Sequence, residues 1–144
     1  MKLQKLQISN PKSQTNHNDQ SCPALRGSTF QTYDLEERTF QFAKRVRAFV
    51  KKLPRTISNI RDSGQLVDAS GSVGANYIEA NESLGKKDFL MHIKISLKEA
   101  KESRYWLRLV DTGDAADLQN ERDWLIQEAA ELTSIFGSIT NKSR

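Results

Sequence analysis

One cysteine and two histidines in 144 residues leave little from which to build a metal site, and a lone Cys22 forms no internal disulfide. His17 and Asp19 stand near Cys22, but the three do not follow a metal-ligand spacing. A free thiol fits the cytoplasm, which is the expected location. No run approaches the roughly 20 apolar residues of a membrane span, and the N-terminal stretch has no continuous apolar core of the kind a signal peptide carries. No segment alternates apolar and polar residues as a half-buried strand does. Glycine-rich phosphate loops, nucleophile elbows and Cys/His clusters are all missing. Neither cofactor nor metal is expected.

The hydrophobic share, 37%, is low for a globule because the first 32 residues dilute it. They hold Lys, Gln, Ser, Asn and Pro without apolar periodicity, which predicts a disordered basic arm over residues 1–33. The remainder, residues 34–141, is long enough to bury one core, with residues 142–144 as a tail.

That remainder reads as all-α, an up-down-up-down four-helix bundle with helices at about residues 34–52, 59–82, 86–111 and 115–139. In helix one, Leu35, Phe42, Val46, Phe49 and Leu53 share a face, Asp34 is the expected N-cap and Pro54 ends the run. In helix four, Leu118, Leu125, Leu132 and Ile139 recur every seven residues, with Ala129 and Phe136 between them. Such spacing suits near-parallel packing, and short loops suit antiparallel neighbours.

Helix two carries an anomaly. Gly71 and Gly74 each cost an isolated helix about 1 kcal/mol relative to alanine. They share a row with Val67 and Ile78, so something is expected to press into the groove they leave. Leu66, Ser70, Val73 and Tyr77 form a second row, and Gln65, Asp68, Ser72, Asn76 and Glu79 a polar one. Two semi-apolar rows imply contact from two sides, which suggests an assembly. Helix three repeats the theme. Phe89, Ile93, Ala100 and Leu107 form one face and Ile95, Trp106 and Val110 another. Either the second face meets a neighbouring subunit, or one wide core buries both.

Charge is sorted between the helices. Residues 34–58 hold seven basic and three acidic side chains, and residues 83–112 hold seven and four. Residues 59–82 and 113–144 are each net −3, so the overall +4 conceals basic and acidic helices. Lys44, Arg47, Lys51 and Arg55 line up opposite the apolar face of helix one, beside Arg45 and Lys52. Lys87, Lys94, Lys98, Lys101 and Arg108 share one side of helix three with Tyr105. Such stripes neutralise phosphates, and an exposed tyrosine stacks on an unpaired base. The bland alternative is a set of solvated faces, partly paired with Glu99 and Glu102.

Asn76 and Glu79 admit two readings, a general base with its orienting partner or polar groups that fix helix register. A base also needs a pocket. Asp68 and Glu79 lie too far apart along one helix to form an acid–base pair. The sequence does not read as an enzyme.

The stretch Gln65-Leu66, Ser72-Val73-Gly74-Ala75-Asn76-Tyr77-Ile78-Glu79-Ala80-Asn81, with Lys86-Lys87-Asp88-Phe89 and the run from Leu97 to Leu107, resembles one family. This is the family of small bacterial four-helix-bundle proteins found in intervening sequences of large-subunit ribosomal RNA genes. The accessory variability proteins of diversity-generating retroelements are similar. The likeness covers roughly residues 33–141 and centres on Ser72, Ala75, Asn76 and Glu79; many members have glycine where this chain has Ala80. It implies a homopentameric barrel whose basic surface engages RNA, DNA or a nucleoprotein partner such as a reverse transcriptase, with no catalytic residues. Two functional readings follow, a nucleic-acid-binding adaptor built on the stripes or a protein-interaction scaffold that binds no nucleic acid. An enzyme built around Glu79 is a third and weaker one.

Overall fold

A computed structural model of the protein describes residues 28–144, with side chains described from residue 35. The expectations placed on the first 27 residues, Cys22 and His17 among them, lie outside these. Residues Glu36–Arg144 form one compact unit, the helical bundle.

Four helices account for the regular structure of the described residues: α1 (Ser28–Val50), α2 (Ile57–Asn81), α3 (Lys86–Leu109) and α4 (Ala116–Lys142). No strand occurs among the described residues. Several ends differ from the sequence expectation. Helix α1 begins at Ser28, ahead of the expected cap Asp34, because no glycine or proline interrupts the chain between Ser28 and Asp34. The cap of α2 is Thr56, whose hydroxyl accepts the Asn59 N–H at 3.1 Å. Helix α3 stops at Leu109, where Val110 turns extended, and Gly113 adopts a left-handed φ of 65° in the loop.

Asn59 explains why these loops settle as they do. Its side-chain N–H groups donate to the Pro54 and Asp111 carbonyls at 2.9 and 2.8 Å, and its oxygen accepts the Asp111 N–H at 2.9 Å. One buried amide thus satisfies backbone groups from both loops at one end of the bundle.

Contacts between helices run in opposite senses along each pair. Asn81 and Gly74 of α2 meet Glu36 and Thr39 of α1. Ser96 of α3 donates to the Val73 carbonyl of α2 at 2.8 Å, and His92 meets Asn76. Arg38 and Arg45 of α1 reach Glu128 and Glu121 of α4, while Arg122 of α4 reaches the Val110 carbonyl at the end of α3. The helices therefore alternate up and down, with α1 and α3 on opposite corners, since α2 and α4 each touch both.

The core follows the expected apolar faces closely. On α1 Leu35, Phe42, Val46 and Phe49 are buried, as is Leu53 just beyond it. Burying each large side chain contributes about 1.5–3 kcal/mol. Leu66, Ser70, Val73 and Tyr77 of α2 face inward, and Tyr77 meets the Phe136 ring edge-on at 5.6 Å. On α4 the heptad drifts: Leu118, Leu125, Ala129, Leu132 and Phe136 are buried, but Thr140 replaces Ile139 as the last buried position. A straight helix turns every 3.6 residues and so moves off a strict seven-residue repeat. Val110, expected on the second face of α3, belongs to the core at 2% exposure.

The glycine row meets α1. A Cβ added at Gly74 would lie 2.8 Å from Thr39 Oγ1 and 3.1 Å from Thr39 Cβ, and one at Gly71 would lie 3.1 Å from the Arg47 guanidinium. The second contact side of α2 is therefore supplied by α1 of the same chain. By contrast nothing lies within 4 Å of a Cβ at Gly64. Gly74→Leu is expected to lower unfolding free energy by about 2–3 kcal/mol in urea titrations, because overpacking outweighs better helix propensity. Gly64→Ala in the same helix is expected to raise it by about 0.5–1 kcal/mol. Equal stability of Gly74→Leu and the parent protein would contradict the close approach.

Candidate nucleic-acid interface

The basic residues of α1 divide into two groups according to which way they face. Arg38 turns toward α4 and makes a two-pronged contact with Glu128 at 2.7 and 2.8 Å, and a third bond to Glu131 at 2.7 Å. Charge-assisted bidentate contacts of this kind are among the stronger hydrogen bonds. They hold the Arg38 guanidinium well above its usual range, against the opposing effect of burial. One turn pair further on, Arg45 bonds Glu121 and lies 3.6 Å over the Trp124 ring. That bond holds the Glu121 carboxyl below the usual carboxylate range. Two cations of the basic helix are thereby matched to the acidic helix, and part of the charge sorting is internal complementarity.

The outward stripe of α1, Lys44, Arg47, Lys51 and Arg55, is exposed. Arg47 is not a free arm, however. Its guanidinium covers Gly71 and donates to the Ala43 carbonyl at 3.1 Å. Lys51 and Arg55 flank a shallow groove at the α1–α2 loop together with Pro54 and Ile60.

On α3 the stripe of Lys87, Lys94, Lys98, Lys101 and Arg108 is exposed along its whole length, and Tyr105 is 55% exposed within it. Lys98 has the neighbouring Glu99 carboxylate at 3.6 Å. Because α1 and α3 occupy opposite corners, the two stripes point away from each other and do not form one surface on a single subunit. The structure instead joins Lys101, Tyr105 and Arg108 to Arg104, which the sequence reading passed over. These four side chains, with Ala130 and Thr133 of α4, line an open groove of about 380 Å³. Arg104 was findable in principle, as it stands three residues after Lys101 and four before Arg108, but its relevance depends on where α4 lies. The Tyr105 ring meets Trp106 edge-on at 5.0 Å.

The residues expected to specify register or assembly are dispersed. Asn76 does bond across helices: its amide nitrogen donates to the Ser72 carbonyl at 3.0 Å, and its oxygen lies 3.2 Å from His92 Nδ1. With the amide oriented so, His92 Nδ1 is the donor. The other ring nitrogen of His92 faces Asp88 at 3.6 Å. Glu79 is exposed, and its backbone carbonyl rather than its carboxylate takes the Ser83 hydroxyl bond. It is not the buried group that a base reading or a register reading requires. Ile95 and Trp106 are half-buried, and the Trp106 indole nitrogen is buried without an acceptor. Among the described residues no group of three or more His, Cys, Asp or Glu is placed to hold a metal ion, and no helix is long and apolar enough to cross a membrane.

An antiparallel four-helix bundle with a cationic, tyrosine-bearing flank is the class that fold and surface define. Residues 31–138 match the family described as 23S rRNA-intervening sequence protein, and the chain belongs to that family. It is also similar to a crystal structure of a protein with unknown function from the S23 ribosomal protein family of Bacteroides thetaiotaomicron VPI-5482. The two are 27% identical with a TM-score of 0.63, over 73% of this chain and 96% of that one. No curated protein matches the sequence.

Two outcomes are expected for the α1–α4 ion pairs. Arg38→Ala should cost about 1.5–3 kcal/mol, since it strands the part-buried Glu128, whereas Lys44→Ala should change stability by less than about 0.5 kcal/mol. Urea titrations of both variants check this. The second outcome concerns pH. Glu121 has a depressed folded pKa, so its contribution is present above the ordinary carboxylate value near 4.5 and is lost as pH falls through the lower folded value. The pair is largely solvent-screened, so Glu121→Gln should cost under about 1 kcal/mol at pH 7, and thermal melts should show the gap closing below pH 4.5.

Proposed function

We propose that the protein is a non-enzymatic, oligomeric nucleic-acid-binding adaptor that works in the cytoplasm and engages structured RNA, or an RNA/DNA hybrid, through its basic stripes. The observation that carries this reading is the contrast between α1 and α3. The arginines of α1 that face α4 are matched by carboxylates, while α3 presents Lys94, Lys98, Lys101 and Arg108 outward around an exposed Tyr105. An outward cation row of this kind releases counterions when it meets phosphates.

RNA as the ligand class is what the family resemblance implies, and the exposed cations around Tyr105 are suited to it. Assembly into a homopentamer, with assistance to a reverse transcriptase, is the finer form of the proposal and draws on the resemblance to the retroelement accessory proteins. Half-buried Ile95 and Trp106 and the exposed Phe40 and Ile78 are the apolar surface that contacts between subunits would use. In this assembly the α3 stripe recurs once per subunit, which multiplies its electrostatic footprint.

A protein-interaction scaffold is the second reading, favoured by Ile57 and Ile60, which are 80% and 52% exposed at the start of α2. It entails a salt-insensitive partner complex and no RNA affinity beyond the non-specific range.

Reversing Lys94, Lys98 and Lys101 to Glu should abolish retention of RNA in gel-shift titrations and flatten its salt dependence, while native mass stays unchanged. RNA binding that survives the triple reversal would refute the adaptor reading.

A further inference from the structure

The α3–α4 groove differs from the rest of the cationic surface in having both a shape and a ring. Lys101, Arg104 and Arg108 supply three cations on successive turns of one helix. Tyr105 lies among them, and Ala130 and Thr133 of α4 form the opposite wall. A volume of about 380 Å³ accommodates a nucleotide-sized group. The wall is small and uncharged: Ala130 carries only a methyl group, and the Thr133 hydroxyl is already bonded to the Ala129 carbonyl at 2.8 Å. Nothing from α4 therefore places a carboxylate in the groove, in contrast to the α1–α4 side, where Glu121, Glu128 and Glu131 neutralise the arginines.

We infer that this groove is a subsite for an unpaired nucleotide, in which the base stacks on Tyr105 against the Ala130/Thr133 wall and the adjoining phosphates contact Lys101, Arg104 and Arg108. The inference rests on the adaptor reading and specifies its ligand as single-stranded or splayed-out nucleic acid. The physical reason is geometric. A duplex presents phosphates to the cation row but keeps its bases stacked and out of reach of a side chain in a groove. An unpaired base offers a π face that a tyrosine ring takes up without regard to sequence. Trp106 meets the Tyr105 ring edge-on, which limits the orientations the ring adopts before a base arrives. Lys94 and Lys98, further along the stripe, serve phosphates of either form.

The test uses the full chain and fluorescence anisotropy with a short labelled oligoadenylate RNA and a blunt RNA duplex of matched length. Tyr105 is exposed, so Tyr105→Ala and Tyr105→Phe are expected to melt at the parent temperature. Tyr105→Ala should weaken binding of the single strand by about 5- to 150-fold, leave duplex affinity unchanged, and be rescued by Tyr105→Phe. Loss of single-strand binding that phenylalanine does not restore would overturn stacking as the cause. Unchanged single-strand binding in Tyr105→Ala, or equal loss for both probes, would overturn the subsite. If the Lys94/Lys98/Lys101→Glu variant has meanwhile lost both probes, the adaptor reading survives that failure. A parent protein that binds neither probe would overturn both.

Discussion

The close approach of α1 to α2 is the constraint on which the other packing depends. Thr39 sits where a side chain at position 74 would otherwise be, so the two backbones come nearer than ordinary core residues allow. Thr39 is itself buried, with its hydroxyl bonded to the Glu36 carbonyl, so the contact is filled and its polar atom satisfied. With α1 held there, its apolar face meets the core through Phe42, Val46 and Phe49, and its arginines at 38 and 45 reach the carboxylates of α4. Helix α2 is thus contacted on two rows within a single chain. The two-row pattern does not by itself call for a second subunit.

Electrostatics then separates two surfaces that look alike in composition. Both α1 and α3 are basic, yet α1 directs two arginines into ion pairs with the acidic α4, where bidentate geometry and a stacked tryptophan hold them. Helix α3 faces α4 with Ala130 and Thr133 across from its cations. A similar count of basic side chains, seven in each segment, therefore has different consequences: on α1 part of the charge stabilises the bundle, and on α3 it remains turned to solvent. Counting charges per segment does not separate these cases, because the partners lie 90 and 76 residues away in sequence.

Much of the fold was legible from spacing. The buried faces of α1 and α4, the inward row of α2 and the groove at Gly74 all follow from the side-chain direction that a helix imposes on positions three and four apart. The errors share a cause. The start of α1, the end of α3 and the switch from Ile139 to Thr140 all sit near helix ends or late in a heptad. There small differences in turn angle or a loop hydrogen bond, such as those of Asn59 to Asp111, decide the outcome. Of the candidate site, the cation rows and Tyr105 were readable; Arg104, the exposure of Glu79 and the opposed directions of the two stripes were not.

The sequence alone determined the class: four amphipathic helices, a charge sorted between them, a glycine pair demanding a close neighbour, and the motif that carries the family likeness. These are local properties, because periodicity and composition act within one helix. Tertiary structure alone decided which cations are matched and which remain turned to solvent, and which side chains share a groove. That outcome depends on which helices occupy adjacent corners. Adjacency is set by the packing of Thr39 on Gly74 and by antiparallel order, and it brings together residues that no spacing along the chain connects.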